Sequence, residues 1–234
     1  GEVGQKEEGE SVGIPWEYEI LDGQEDRIIL KCSAKLPVTP FYTEKLYTLK
    51  KGDATLYIEE SAKNTGEVPV KFTWTHHPAF GGNFLDENVE VILPECKAFN
   101  VGNYEKYREQ ALECFDEKVT EVTLPDGSKY DLSKVNPRGK GAGCYITLRD
   151  LKECRAGLFH PAKKLGIDLE WDENAFPYLR YWSCNASKIY TVALEPSSSY
   201  FSDIQDSVRH GAYLELEKDA VMKTWVKCSV YHRD

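Results

Sequence analysis

The feature that most constrains this chain is a long succession of short β-branched or aromatic segments, each closed by Gly, Asn, Asp or Pro. Residues 27–36, 45–52, 54–64, 68–77 and 89–95 read as strands on that pattern. Residues 118–132 read as two alternating arms joined at Pro125-Asp126-Gly127, residue types that preset a turn. The series continues at 143–150, 156–160, 165–171, 177–184, 189–196, 211–219 and 221–232. Only 103–115 and 200–211 read as helix, the second stopping at Gly211. No Pro/Ser-rich linker, internal repeat or low-complexity tract interrupts the series. The expected fold class is all-β: a large antiparallel β-sandwich with one or two short helices, built as a single domain over residues 1–234. Residues 1–13 are polar and acidic and are expected to form a flexible lead-in rather than a signal peptide.

Charge narrows the partners. Lys and Arg total 29 against 39 Asp and Glu, a net charge of −10, which argues against nucleic acid and against an anionic membrane surface. No run of 18 apolar residues is present to span a bilayer. The 7 cysteines include no C-x-x-C pair, which speaks against a zinc ribbon or a thioredoxin-type site. Buried, reduced thiols in a cytoplasmic protein are the expectation, with no metal ligated.

The phosphate-loop, nucleophile-elbow and zincin motifs are all missing, so chemistry must come from elsewhere. "FTWTHHPAFGG", Phe72 to Gly82, ends an alternating run on two imidazoles. Strand side chains alternate, so Thr73, Thr75 and His77 share one face while Phe72, Trp74 and His76 share the other. Pro78 and Gly81-Gly82 then place the second imidazole at a strand end, where sites are commonly built. A half-buried structural histidine is the plainer alternative. Glu195 follows the apolar or hydroxylic run Ile189–Leu194, and a carboxylate closing a buried strand is costly unless paired or functional. An ordinary strand-end acid paired with a lysine is the alternative there. In "FPYLRYWSCN", Tyr178, Arg180 and Trp182 share a face. Rings beside a guanidinium suit a sugar, the rings stacking on its C–H face and the fork bonding hydroxyls; an exposed strand with a structural arginine would look the same.

In their order and spacing, "NTGEVPVKFTWTHHPAFGG", "FPYLRYWSCN" and "ALEPSSS" resemble the aldose 1-epimerase (galactose mutarotase-like) family. The likeness covers about residues 40–234, including the closing "GAYLELEKDAVMKTWVKCSVYH". It implies a supersandwich with a sugar cleft, His77 as catalytic acid and Glu195 as catalytic base. It also implies Arg180, Trp182 and Tyr178 as sugar contacts, with His76 beside them and structural on its own face. Interconverting α and β pyranoses takes the proton from the C1 hydroxyl and gives one to the ring oxygen; both transfers reverse on reclosure, so no metal or cofactor is needed. The expected partner is a small-molecule sugar, with a homodimer left open. The family's N-terminal Arg and His have no counterpart here, and no Asp precedes the aromatic strand around "GKGAGCYITL". These departures keep two alternatives in play: a mutarotase for a phosphorylated or sulfonated hexose, gripped by Arg180, and a catalytically silent carbohydrate-binding sandwich.

Overall fold

A computed structural model describes residues 9–100, 112–114, 121–123, 127–140, 143–201 and 203–233. In chain order the strands are β1 (Glu17–Gly23), β2 (Arg27–Lys35), β3 (Phe41–Lys50), β4 (Thr55–Asn64), β5 (Val70–Phe72) and β6 (Ala79–Phe80). Then come β7 (Glu90–Ile92), β8 (Lys97–Asn100), β9 (Leu112–Cys114), β10 (Glu121–Thr123), β11 (Lys129–Asp131) and β12 (Cys144–Arg149). After β13 (Arg155–His160), β14 (Leu165–Trp171), β15 (Tyr178–Asn185) and β16 (Tyr190–Ser197) follows one helix, α1 (Ile204–Arg209). β17 (Leu214–Leu216) and β18 (Val221–His232) close the chain. The fold class is all-β, a large antiparallel β-sandwich.

Two compact units make up the chain. The first comprises Gly1–Phe72 and Glu215–Lys227. In it β1, β2, β3 and β4 lie side by side in chain order, with β18 next after β4. Asn64, at the end of β4, is fully buried and closes the corner of this unit. Its amide donates to Val68 O at 2.8 Å and Leu216 O at 2.9 Å, and its Oδ1 accepts from Gly66 N at 2.9 Å. The asparagine of the Asn64-Thr65-Gly66 motif is therefore a backbone clasp, and Gly66 is required beside it: a Cβ there would meet Pro40 Cγ at 2.8 Å. Asn64→Ala strands these buried backbone groups and is expected to cost about 3 kcal/mol, read as a lower urea midpoint at unchanged slope.

The second unit holds Thr73–Leu214 and Cys228–Asp234. Its six-stranded sheet runs β6-β16-β15-β12-β8-β9, and a second sheet carries β14, β13 and β7 in order. β15 alternates between half-buried and buried along its whole length, with Leu179, Tyr181 and Ser183 on the inner face. Directly opposite them lie Pro196, Leu194 and Val192 of β16. Leu158, Leu169, Trp171 and Phe176 complete this core, and the Trp171 indole donates to Phe176 O at 2.9 Å.

Several expectations are corrected. The run 68–77 is a ladder strand only at Val70–Phe72. Leu112–Cys114 pair with β8 rather than continue a helix, because the cross-strand ladder outweighs local helix preference; the rest of the 103–115 helix lies outside the described residues, as does most of the 1–13 lead-in. The hairpin over 118–132 is present as β10 paired with β11, although its Pro125-Asp126 turn is likewise outside. α1 starts where Asp203 accepts from Gln205 N and Asp206 N, and it ends at Gly211, whose φ is +72°. Among the described residues no helix is long and apolar enough to cross a membrane.

Candidate active site

The segment before β6 runs along β16 in one register. Thr75 bridges to Ser197 and Ala79 pairs with Ala193, which sets His77 opposite Glu195. His76 N donates to Pro196 O at 2.9 Å, and Leu194 N to Pro78 O at 3.3 Å. Each proline lacks the N–H that would return the bond, so the ladder is half-made on both sides of the His77/Glu195 pair. That pair occupies a position without its own cross-strand bonds, where facing side chains approach most closely.

The result is a contact of 3.1 Å between His77 Nε2 and Glu195 Oε1. The two groups differ sharply in exposure: 51% for the imidazole and 3% for the carboxylate. Glu195 is not at a strand end, as its sequence context implied; β16 continues through Pro196 to Ser197. Burial pushes the Glu195 carboxyl above its ordinary value, and the neighbouring His77 and Arg180 charges pull part of the way back. Oε1 receives no hydrogen bond, since the imidazole contact is close but not aligned as one. A buried carboxylate oxygen in that condition is costly unless a ligand donates to it.

Cross-strand register extends the row. Glu195 faces Arg180 on β15, and Arg180 faces Thr147 on β12. Arg180 Nη2 donates to Phe201 O at 2.5 Å and Ser199 O at 3.3 Å, which pins the guanidinium beside the carboxylate. Removing that charge by Arg180→Met is expected to raise the Glu195 pKa further, read directly from the carboxyl carbon shift in a pH titration. One row away, Trp182 faces Ala193 and its ring lies 5.7 Å from the His77 ring. On the other side Tyr178 faces Ser197, with its ring edge-on to Tyr200 at 5.0 Å.

His77, Glu195, Arg180 and Trp182 are thus brought together, and Tyr178 shares their face one row off. His76 is not part of the group. It turns to the opposite side with Trp74, and both rings meet Phe176 edge-on, at 5.3 and 6.2 Å. Sequence reasoning missed the hydroxyl pair Thr75 and Ser197, whose oxygens lie 2.8 Å apart. It also missed Tyr145, which stands directly opposite Trp182. The serine run after Glu195 was a signal for the first; nothing local marks the second.

Residues 32–230 match a family model described as a domain of unknown function, DUF4432. No curated protein matches the chain. Among solved structures, the Slr1438 protein of Synechocystis sp. PCC 6803 is 17% identical with a TM-score of 0.69, over 98% of this chain and 70% of that one. A candidate aldose 1-epimerase from Klebsiella pneumoniae is 16% identical with a TM-score of 0.68, over 93% of this chain and 54% of that one. A galactose mutarotase-like protein from Clostridium acetobutylicum is 13% identical with a TM-score of 0.68, over 93% and 67%. The chain therefore spans between 54% and 70% of the length of these three proteins. At such identities the likeness establishes the fold and leaves the activity to the site. On the family match over most of its length, the chain belongs to the DUF4432 family, on a galactose mutarotase-like fold.

Proposed function

We propose that this chain is a mutarotase that interconverts the α and β anomers of a hexose. The observation that carries the reading is the His77–Glu195 pair, a half-exposed imidazole 3.1 Å from a buried carboxylate with an unbonded oxygen. Anomerisation moves protons at two oxygens bonded to a single carbon, C1. An acid and a base serving both must therefore lie within a few ångström of each other. In the proposed mechanism Glu195 takes the C1 hydroxyl proton while His77 donates to the ring oxygen. The ring opens, the C1–C2 bond rotates, and reclosure reverses both transfers. Trp182, beside His77, offers an aromatic wall to the C–H face of the sugar. The names of the structural neighbours point the same way.

Arg180 argues for a neutral sugar over a phosphorylated or sulfonated one. One arm of its guanidinium is taken up by two carbonyls, and the charge sits opposite Glu195, so it serves the carboxylate before any ligand. The test is NMR exchange between the anomers of glucose and galactose, with and without the protein. Acceleration of at least one is expected. Unchanged exchange for both would overturn the enzyme reading in favour of a sandwich that only binds. His76→Ala supplies a control on the choice of imidazole: about 1 kcal/mol of stability should be lost with its edge contact to Phe176, while anomer exchange stays within about twofold. A selective loss of exchange would assign the acid to the wrong ring.

A further inference from the structure

A cavity of about 560 Å³, within the usual range of about 300–1,000 Å³ for small-molecule sites, opens on the face that carries the acid–base row but does not reach it. It begins at the Tyr145–Trp182 pair and runs away from His77 and Glu195, over Gly143 and Cys184, to the turn at Asn185–Ser187. Register explains the hollow. Next to the row His77–Glu195–Arg180 comes the row Ala193–Trp182–Tyr145, and next to that the pair Thr191–Cys184, with the Gly143 backbone close beside Cys184. Large rings thus give way to small side chains. Gly143 cannot carry more: a Cβ there would stand 2.7 Å from Ser183 O.

The lining is also uncharged. Among the described residues that border it there is no Asp, Glu, Lys, Arg or His, in a chain whose net charge is −10. Two rings, a glycine floor and the exposed Ser187 hydroxyl at the far end suit a neutral sugar ring, stacked on one side and hydrogen-bonded at the rim. A cation borders the far end from outside the lining: Arg138 Nη1 donates to Ser187 O at 3.5 Å, and its guanidinium is engaged over the Tyr190 ring at 4.8 Å.

Resting on the mutarotase reading, we infer that the cavity is a subsite for a second, uncharged sugar ring, so that the preferred substrate is the reducing end of a di- or oligosaccharide. The reacting ring lies over His77 and Glu195. The ring glycosidically joined to it crosses Trp182 and occupies the hollow beyond.

Binding is measured by calorimetry on the full chain carrying Glu195→Gln, with glucose, galactose, maltose, cellobiose and lactose as probes, beside anomer exchange in the unmodified chain. At least one disaccharide is expected to bind tenfold or more tightly than its own reducing-end monosaccharide. Ala186→Trp plugs the hollow from an exposed position and should erase that excess while leaving monosaccharide exchange unchanged. Equal affinity for one and two rings, or an excess that survives Ala186→Trp, overturns the subsite. The two readings fail separately. A disaccharide excess without anomer exchange removes the mutarotase and keeps the hollow as a saccharide site, whereas exchange without the excess does the reverse.

Discussion

Glu195→Gln is expected to lower anomer exchange by about 10²–10⁴-fold, the usual range for loss of a general base, while the fold persists. Glutamine keeps the shape of the side chain and removes the proton acceptor. A second, opposite effect follows from burial. Because folding raises the pKa of this carboxyl, its contribution to stability is fully present below the unfolded value and is lost as pH rises through the folded one. At neutral pH the ionised form therefore burdens the native state, and Glu195→Gln should unfold at a higher temperature than the unmodified chain. That advantage should disappear in acid, where both carry a neutral side chain. In the unmodified chain, the same raised pKa is expected to set the acid limb of anomer exchange above the ordinary carboxylate range of about 4.3. Wild-type exchange rates in Glu195→Gln would exclude the base, and unchanged stability at neutral pH would exclude the desolvation argument.

The largest expected loss of stability lies in the first unit, at the ion pair between Lys45 of β3 and Glu60 of β4. These residues face each other across the ladder, and Lys45 Nζ lies 2.7 Å from Glu60 Oε1. Glu60 is 3% exposed, and the next facing pair on the same side is Tyr47 with Ile58. Lys45→Met removes the cation beside a buried carboxylate, and about 3–5 kcal/mol of stability should go with it. Lys45→Arg should retain most of the stability. The double change Lys45→Met with Glu60→Leu should recover much of the loss, because it removes the buried charge along with the lysine. Urea unfolding of the four proteins decides the point, and a small loss in Lys45→Met alone would show that the pair is solvated.

Strands that alternate cleanly between turn residues were legible from the sequence. The expected bounds 165–171 and 221–232 are those of β14 and β18. β1 was not legible, and its burial shows why: nearly every side chain is exposed, with Tyr18 at 76% and Ile20 at 63%, so no inside–outside pattern marks it. The short β8 carries too few residues to display a period. Alternation alone correctly set His77 apart from His76 and grouped Arg180 with Trp182. What it could not give was the neighbour across each strand. That Arg180 meets Glu195 and that Tyr145 meets Trp182 are facts of register between segments distant in the chain, fixed by the packing of whole sheets.

The half-made ladder around Pro78 and Pro196 bears on which insertions and deletions this chain can survive. A one-residue slip along a strand exchanges its two faces, and in most active sites that would discard the reacting group. Here the neighbour of His77 is another histidine, so a deletion just after the pair that drew the segment back by one position would present His76 to Glu195 in its place. The doubled imidazole is a form of tolerance to indels, confined to this stretch. A gap of the same length within β15 has no such reserve, because it would replace Arg180 with Leu179 or Tyr181 beside the carboxylate.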